Sequence, residues 1–310
     1  MMKLSLKTLI DPEKAALAKA RLHAWWEGET FDAAAFAAAR QGSGETSGAP
    51  AFTEDAPEAP PKEPRLTALQ ILWGDNRLMP GDEAEDRLHP ARLGLPATGT
   101  MAILGPGLAA PVLAAAEAHP GAIHIHEWRE EVLPHLRHAL FGLRDRAQME
   151  SLDLDLFAAP LDVWDGAWSL DEFSYAPNPS RLAVQIAKGL KAGASVVVEC
   201  YVSEGRFSAS SAFAAAFAEP HLPENGAVEA VLTTAGLGLE DTEDLTAAHL
   251  AAAKEGFRRL EQALATAASQ GLEPGVAREI AWEAESWAHR MAALHTGKLT
   301  RRRFVFRKPD

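Results

Sequence analysis

The stretch that decides the fold is TMAILGPGLAAPVLAAAEAHPGAIHIHE, residues 100–127. It begins with a short apolar run, turns at Gly105 and Gly107, and continues through small residues, 108–119, that favour a helix. A second apolar run, residues 122–126, follows. Short apolar strands that alternate with helices are typical of a parallel sheet with helices on both faces. The stretch therefore predicts one strand–helix–strand unit of a doubly wound domain.

The same alternation of strands and helices continues along the chain. The further predicted strands are residues 147–152, 165–170 and 194–202, and the further predicted helices are residues 130–141 and 179–193. Two later stretches, residues 250–267 and 276–294, carry apolar residues at three- and four-residue steps, the pattern of amphipathic helices. The predicted fold class is therefore α/β, with a doubly wound, mostly parallel sheet covered by helices on both faces.

The N-terminal part of the chain has a different composition. Residues 1–40 contain a predicted helix that ends near Trp25 and Trp26 and then a short alanine-rich helix, which together form an N-terminal helical element. Residues 41–64 are rich in Gly, Ser, Pro and Glu, which is typical of a flexible linker. The main domain is predicted over residues 65–310. A tethered helix can engage a protein partner at raised effective concentration.

The composition narrows the function class. The 310 residues carry a formal net charge of −13, which argues against a nucleic-acid or anionic-membrane binder because phosphate affinity needs clustered Lys and Arg. A small molecule or a protein is the expected partner. Cys200 is the only cysteine, which excludes an intramolecular disulfide and a cysteine metal cluster. No apolar run reaches the roughly 20 residues of a membrane span. The N-terminus lacks a signal-peptide pattern, so the expected location is cytoplasmic.

Two polar patterns on predicted strands have both a structural and a functional interpretation. His124 and His126 alternate with apolar residues and therefore share one face of their strand. A metal pair would need a third ligand, which we do not find in the sequence, so packing in the sheet is favoured and no metal site is expected. The arginines of LTRRRFVFRKP, residues 299–309, are interpreted as a solvated strand face, and a nucleic-acid-binding patch is the alternative.

The glycine turn after the first strand of the unit is a candidate ligand site. In an open α/β sheet, ligands bind beyond the carboxyl ends of the strands. Gly105 and Gly107 lack a Cβ, so the backbone can turn sharply there and approach a ligand closely. Glu127 ends the second strand, 20 residues after Gly107, where an acid can accept both hydroxyls of a ribose. The alternative for Glu127 is an acid at a helix N-terminus, stabilised by the helix dipole.

Three further residues complete the predicted nucleotide-like site. Asp155 is placed to accept the amino protons of an adenine, and the capping of a turn is its alternative. Trp128, directly after Glu127, is expected to cover the adenine face. Leu170, at the end of a further strand, is assigned to the same binding site.

Two acids follow the strand that ends at Leu170. Asp171 and Glu172 lie in the segment SLDEFSY, where a substrate would meet a bound cofactor in this type of fold. One of them is a candidate catalytic residue, as a general base or as a group that orients a nucleophile. Two solvated loop acids without a chemical role are the alternative.

Several segments in order along the chain resemble one known family. Residues 74–96, GDNRLMPGDEAEDRLHPARLGLP, are similar to the G-x-x-x-S-P-G-G lead-in of the class I S-adenosylmethionine-dependent methyltransferases of the small-molecule type. Residues 153–198 resemble their D-x-x-x-L-P segment, their F-D-x-V strand and their L-K-P-G-G turn. The closing RRRFVFRKP resembles their final strand. The resemblance runs from about Leu66 to the C-terminus.

The resemblance implies a particular sheet and a particular cofactor. It implies seven strands, with residues 299–308 as an antiparallel strand next to the strand over 194–202. It also implies S-adenosylmethionine as cofactor and methyl transfer to a small-molecule or protein-borne nucleophile. Methyl transfer needs little from side chains beyond proximity and orientation.

The sequence departs from the family at the glycine turn. The family has an acid two residues before the first loop glycine, where it helps to hold the ammonium group of the cofactor, and this chain has Ile103. Backbone carbonyls near Gly105 or a carboxylate of Asp75 or Asp82 are candidate replacements. Without a replacement, the alternative is a catalytically inactive protein of this fold that acts as a binding or regulatory module through its N-terminal helix.

Overall fold

A computed structural model of the chain describes residues 58–204, 222–267 and 271–310. The predicted N-terminal helical element, residues 1–40, lies outside the described residues, as does most of the predicted linker, residues 41–64. The described end of that linker has no regular structure before the first helix begins at Pro64.

The described residues form one seven-stranded sheet with helices around it. The strands are β1 (Thr100–Leu104), β2 (Ala122–Glu127), β3 (Ala147–Ser151), β4 (Trp164–Leu170), β5 (Leu190–Ser203), β6 (Gly238–Asp244) and β7 (Leu299–Arg307). The helices are α1 (Pro64–Trp73), α2 (Glu83–Asp86), α3 (His89–Arg92), α4 (Ala110–Ala118), α5 (Leu133–Ala139), α6 (Pro179–Gly189), α7 (Ala227–Thr234), α8 (Thr246–Ala267) and α9 (Pro274–His295).

The strand order is β3-β2-β1-β4-β5-β7-β6. Strands β1 to β5 pair in parallel, and β7 lies antiparallel between β5 and β6. This order confirms the predicted α/β class and the predicted position of the last strand next to β5. Strand β2 pairs with one edge of β1, and β4 pairs with the other. The strand order therefore reverses at β1, and open sheets bind ligands at such a point.

Strand β1 is apolar because both faces of the sheet are covered. Ala102 and Leu104 face a core that includes residues of α6 and α7. Met101 and Ile103 face the other side, where residues of α4 and α5 cover the sheet. Helices α1, α8 and α9 share a third apolar cluster, in which Trp73 contacts Trp287 with ring centroids 4.8 Å apart.

Two predicted boundaries are wrong around β5. Helix α6 ends at Gly189 and β5 already begins at Leu190, whereas the sequence pattern predicted a helix to residue 193. At Gly189 a Cβ would collide with the ring of the buried Trp164, so the chain must pass close to β4 there. The predicted helix 130–141 is also shorter, because a 3-10 turn at Glu130–Val132 precedes α5.

Strand β6 has no apolar pattern and every residue in it is exposed. Its acids pair instead with arginines of β7: Arg303 donates to Glu243 at 2.7 Å and Arg307 to Glu240 at 2.5 Å. The prediction of a solvated arginine face on β7 is therefore wrong for Arg301 and Arg303, which are buried against carboxylates.

No helix of the described residues is long and apolar enough to cross a membrane. Cys200 is fully buried in β5, as predicted. His126 packs between aromatic rings, with centroid distances of 5.3 Å to Phe157 and 5.5 Å to Trp164, whereas His124 on the same strand is half-buried.

Candidate cofactor site

The glycine turn after β1 has the backbone conformation that the sequence predicts. Gly105 and Gly107 have φ angles of +63° and +72°, in the left-handed region that residues with a Cβ disfavour. A Cβ at Gly105 would collide with the Glu172 carboxylate and lie 2.9 Å from the carbonyl oxygen of Leu170. A Cβ at Gly107 would lie 2.8 Å from the Leu78 side chain. Both positions therefore require glycine for conformation and for space.

Glu127 at the end of β2 faces this turn. Its side chain is fully buried, and Oε2 accepts a hydrogen bond from the backbone N–H of Gly107 at 2.6 Å. Oε1 accepts from the backbone N–H and from the guanidinium of Arg129, both at 2.9 Å. A carboxylate has roughly four acceptor positions, so about one remains for a ligand in this arrangement. The helix N-terminus alternative for Glu127 does not describe these contacts, because the acid binds the glycine turn of the neighbouring strand.

Arg129 lies over the aromatic side chain that follows Glu127. The Arg129 Cζ is 4.1 Å from the centroid of the Trp128 ring and 6.0 Å from that of Tyr175, and the two rings lie 4.6 Å apart. Such cation–π contacts are worth about 0.5–2 kcal/mol each. The half-buried Trp128 is thus already covered on one side by a side chain of the same protein.

Glu172 lies in a 3-10 turn directly after β4. Its side chain is fully buried, and Oε2 accepts from the Ser169 hydroxyl at 2.5 Å. Oε1 has no hydrogen-bond partner among the described residues and faces Gly105. Burial raises the pKa of Glu172 well above its ordinary value, although the Ser169 hydroxyl opposes this shift. The alternative of a solvated loop acid is therefore wrong for Glu172.

Asp171 is also buried, but it faces a different group. It has a φ of +68°, and its carboxylate forms an ion pair with Arg301 of β7. The alternative of a solvated loop acid is wrong here as well. Arg301 also approaches Glu199 of β5, at 3.8 Å. Asp171 therefore belongs to a buried network of charged groups between β4, β5 and β7.

A tyrosine and a histidine extend this network towards α8 and α9. The Tyr201 hydroxyl is hydrogen-bonded to Nε2 of His249, and both side chains are buried. The guanidinium groups of Arg290 and Arg301 lie 4.6 and 4.9 Å from the Tyr201 ring centroid. Burial, together with the nearby Arg301 and Arg290, lowers the pKa of His249 well below its ordinary value, so the imidazole is neutral at pH 7.

The lead-in segment closes the turn from the other side. Leu78 packs against Gly107, and the carbonyl of Asn76 accepts the backbone N–H of Ala110 at the start of α4 at 2.9 Å. Asp75 and Asp82 are both exposed, and the Asp82 carboxylate caps α2 by accepting from Ala84 at 2.7 Å.

Solved structures share this architecture at low sequence identity. No protein-family model matches the chain, and the search of curated proteins found no significant match. Phosphoethanolamine N-methyltransferase 2 of Haemonchus contortus, solved with S-adenosyl-L-methionine, matches with a TM-score of 0.69 at 19% identity, over 79% of this chain and 57% of that one. The fold is that of the class I S-adenosylmethionine-dependent methyltransferases. The chain spans little more than half the length of the Haemonchus protein.

Two further structures show how widely this methyltransferase fold is shared. A protein described as a sarcosine dimethylglycine methyltransferase from Galdieria sulphuraria has a TM-score of 0.64 at 15% identity, over 80% of this chain and 99% of that one. The cyclase SpnF has a TM-score of 0.59 at 16% identity, over 85% and 99%. The names of these neighbours include both methyltransferases and a cyclase, so the fold alone does not specify the reaction.

Most of the predicted site residues lie around the glycine turn, but Asp171, which pairs with Arg301, and Asp155 do not. Gly105, Gly107 and Glu127 contact one another directly or through backbone, and Leu170 and Glu172 contact Gly105. Asp155 has an exposed side chain, and its backbone N–H is held by Asp153 at 2.9 Å. Its predicted contact with an adenine stays a prediction.

Sequence reasoning missed residues at the glycine turn and in the network around Asp171. Arg129 could have been found, because a residue two positions after Glu127 on extended backbone lies on the same side. Leu78, Arg301 and Tyr201 carry no such local signal. They reach the site through contacts between strands and segments that are distant in the sequence.

Proposed function

We propose that the chain binds S-adenosylmethionine beyond the carboxyl ends of β1, β2 and β4 and transfers its methyl group to a small-molecule nucleophile. The observation that carries this proposal is the Glu127 carboxylate, which is fully buried yet bonded across to the N–H of Gly107. Burial of an acid at this point, with both loop glycines in left-handed conformation, supports a site built to bind a polar ligand.

The residues around the turn fit this cofactor by type and position. Glu127 would accept the ribose hydroxyls, the turn at Gly105 and Gly107 would let the ligand approach the backbone, and Trp128 and Leu170 would flank the adenine. When bound, S-adenosylmethionine supplies a methyl group on a positively charged sulfur, a good leaving group. The chain itself then has to hold the acceptor in line and exclude water.

We propose that the methyl acceptor binds at the buried network that begins with Asp171. Its carboxylate lies directly after β4, and the network continues through Arg301 to the hydrogen-bonded Tyr201 and His249. The neutral His249 imidazole and the Tyr201 hydroxyl can each donate or accept a hydrogen bond with a polar methyl-acceptor molecule. The Haemonchus enzyme, solved in one structure with phosphomonomethylethanolamine, is a precedent for a small polar acceptor in this fold.

Calorimetric titration with S-adenosylmethionine tests the proposal. Wild-type protein is expected to bind, and Glu127→Gln is expected to bind more weakly by about 1.5–3 kcal/mol, roughly 10- to 150-fold, because the variant loses a charged acceptor. Glu131→Gln is the matched control, since Glu131 is exposed in the turn that follows β2. Equal binding by the Glu127 variant and wild type would remove Glu127 from the site.

A second candidate function has its own supporting observation. The described side chains already fill the turn. Arg129 is hydrogen-bonded to Glu127, the Leu78 side chain lies against Gly107, and the Glu172 carboxylate lies against Gly105. We infer from this filling a methyltransferase-fold protein without turnover, a binding or regulatory module whose N-terminal segment, outside the described residues, engages a protein partner.

A variant that empties the turn separates the two functions. Leu78→Ala combined with Arg129→Ala removes two of the three filling side chains and leaves Glu127 in place. Binding of S-adenosylmethionine by wild type supports the enzyme. Absence of binding at millimolar cofactor in both proteins supports the inactive module, whereas binding only by the double variant shows a competent site that its own side chains close.

A further inference from the structure

One position of the glycine turn lacks the acid that the methyltransferase resemblance implies. Ile103, two residues before Gly105, is fully buried in an apolar cluster with Met101, Val112 and Ile125. A charge at this position would lie in that cluster without a partner, which is strongly unfavourable. The position is therefore used for packing and not for recognition.

Another carboxylate reaches the same turn from a neighbouring strand. The Oε1 atom of Glu172 and the carbonyl oxygen of Leu170 both face the side of Gly105 that a Cβ would occupy. Oε2 is held by Ser169, which fixes the orientation of the carboxyl group. Two acceptor oxygens therefore lie beside Gly105, and Oε1 has no donor among the described residues.

The charged groups nearby are already paired with others. Glu127 and Arg129 of β2 and its extension hydrogen-bond to each other, and Asp171 pairs with Arg301. Glu172 is thus left without a cation of its own. A buried acceptor without a donor destabilises the protein, and a ligand with N–H donors would offset this cost.

We propose that Glu172 supplies the carboxylate that position 103 lacks, and that with the Leu170 carbonyl it binds the ammonium group of the cofactor's amino-acid moiety. The inference rests on the proposed function, since it concerns the same cofactor. It replaces the candidacy of Glu172 as a general base, because a fully buried side chain that faces Gly105 points to the cofactor turn. It also makes the lead-in acids Asp75 and Asp82 unnecessary for this role.

The proposed contact has a consequence for protons. Burial raises the pKa of Glu172 well above its ordinary value, and of the facing groups Glu127 raises it further while Ser169 and Arg129 lower it. Burial therefore favours the protonated form of this carboxyl group in the free protein. An ammonium group arrives with its own protons and favours the carboxylate, so ligand binding releases the Glu172 proton to the buffer.

Two probes isolate the amino-acid part of the ligand. S-adenosylhomocysteine carries the ammonium group, and 5′-methylthioadenosine lacks the amino-acid moiety but keeps the adenosine. Calorimetry at pH 7 in two buffers of different ionisation enthalpy measures affinity and proton release together. Wild type is expected to bind S-adenosylhomocysteine more tightly than 5′-methylthioadenosine, and to release protons on binding the first ligand but not the second.

Glu172→Gln is the decisive variant. It keeps the shape of the side chain, and we expect S-adenosylhomocysteine to bind at least about tenfold more weakly, without proton release, while 5′-methylthioadenosine binds as before. Asp165→Asn is the matched control, because Asp165 lies near the start of β4, at the end away from Glu172, and pairs with Lys191. Glu172→Asp, which keeps the charge, is expected to retain proton release with a smaller loss of affinity.

Each other outcome overturns a defined statement. An unchanged ratio of the two affinities and unchanged proton release in Glu172→Gln overturn the role of Glu172. Wild-type binding of 5′-methylthioadenosine but not of S-adenosylhomocysteine also overturns it, and leaves the nucleoside site in place. Binding of neither ligand by wild type overturns the proposed function and this inference together.

Discussion

Glu172, directly after β4, and Glu199, within the adjacent β5, are both buried glutamates, yet their surroundings are opposite. Glu199 on β5 accepts from Arg303 at 2.7 Å and lies 3.5 Å from His89 and 3.8 Å from Arg301. Glu172 after β4 has one hydroxyl donor and one oxygen without a partner among the described residues.

The pKa shifts of the two acids run in opposite directions. Burial raises the pKa of Glu172 well above its ordinary value. Burial alone would also raise the pKa of Glu199, but the charges of His89, Arg303 and Arg301 overcome it and hold that pKa below its ordinary value. Burial by itself therefore does not decide the direction of the pKa shift of a carboxyl group, and the supply of nearby cations does.

The comparison separates a structural network from a site. Glu199 is satisfied by Arg303 and Arg301 of the same chain, so its charge stabilises the fold. At the glycine turn, Oε1 of Glu172 is buried without a donor among the described residues. Such an atom lowers the stability of the fold and is typical of a binding site.

Conservative substitution of the two glutamates tests this difference most strongly. Glu199→Gln leaves Arg303 and Arg301 without their shared carboxylate and is expected to lower the free energy of unfolding by about 3–5 kcal/mol. Glu172→Gln is expected to change it by no more than about 1 kcal/mol, because the new amide can donate to the Leu170 carbonyl. Urea denaturation at pH 7 measures both. Similar losses in the two variants would contradict the distinction.

Alanine at two glycines measures how tightly Glu172 faces the turn. Gly94 and Gly105 share a φ of +63°, but a Cβ at Gly94 meets nothing within 4 Å. Gly94→Ala therefore reports the cost of the left-handed backbone alone. Gly105→Ala is expected to lower the free energy of unfolding by roughly 1–3 kcal/mol more, because its Cβ collides with the Glu172 carboxylate.

A double variant checks the cause of that extra loss. Combining Gly105→Ala with Glu172→Ala removes the colliding carboxyl group, so part of the extra destabilisation should be recovered. Full recovery is not expected, since the Leu170 carbonyl stays 2.9 Å from the new Cβ. Losses that simply add in the double variant would show that the two side chains do not meet.

Local patterns predicted the β1 side of the molecule better than the β7 side. The strand–turn–helix order, the loop glycines and Glu127 follow from periodicity and spacing that a single segment carries. Strand β6 was not assigned from the sequence because an exposed edge strand needs no apolar alternation, and it is held through pairs such as Arg303 with Glu243.

The misjudged charges have the same origin. Arg301 and Asp171 are separated by 130 positions, so nothing in either local sequence shows that one neutralises the other. The strand order brings them together, since β7 lies beside β5 and β5 beside β4. Likewise, nothing in the local sequence around Glu172 shows that its side chain is buried against Gly105.

Two buried histidines extend the comparison to acidic pH, where we expect the smallest of these effects on the free energy of unfolding. Burial, and to a lesser extent the charge of His124, lowers the pKa of His126 on β2 to about 3. His89, beside Glu199, has its pKa lowered by burial to about 4, since the acid opposes the shift. The histidine within 3.5 Å of a buried acid is thus the one whose pKa falls less.

Removing the His126 imidazole should flatten the pH dependence of stability. Between its ordinary pKa of about 6.5 and its folded value, the unfolded chain holds a proton on His126 that the folded protein does not. Stability therefore falls as the pH falls through this range, by up to about 1.4 kcal/mol per pH unit from this residue. Urea denaturation of wild type and His126→Phe at pH 6 and pH 5 measures the difference, and we expect the variant to lose about 1 kcal/mol less over that step.

His126→Gln should show the same flattening at lower overall stability, because it removes the titration but packs less well against Phe157 and Trp164. A slope equal to that of wild type in both variants would mean that His126 takes up its proton in the folded protein, and that the β2 side is as well supplied with compensating charge as the β7 side.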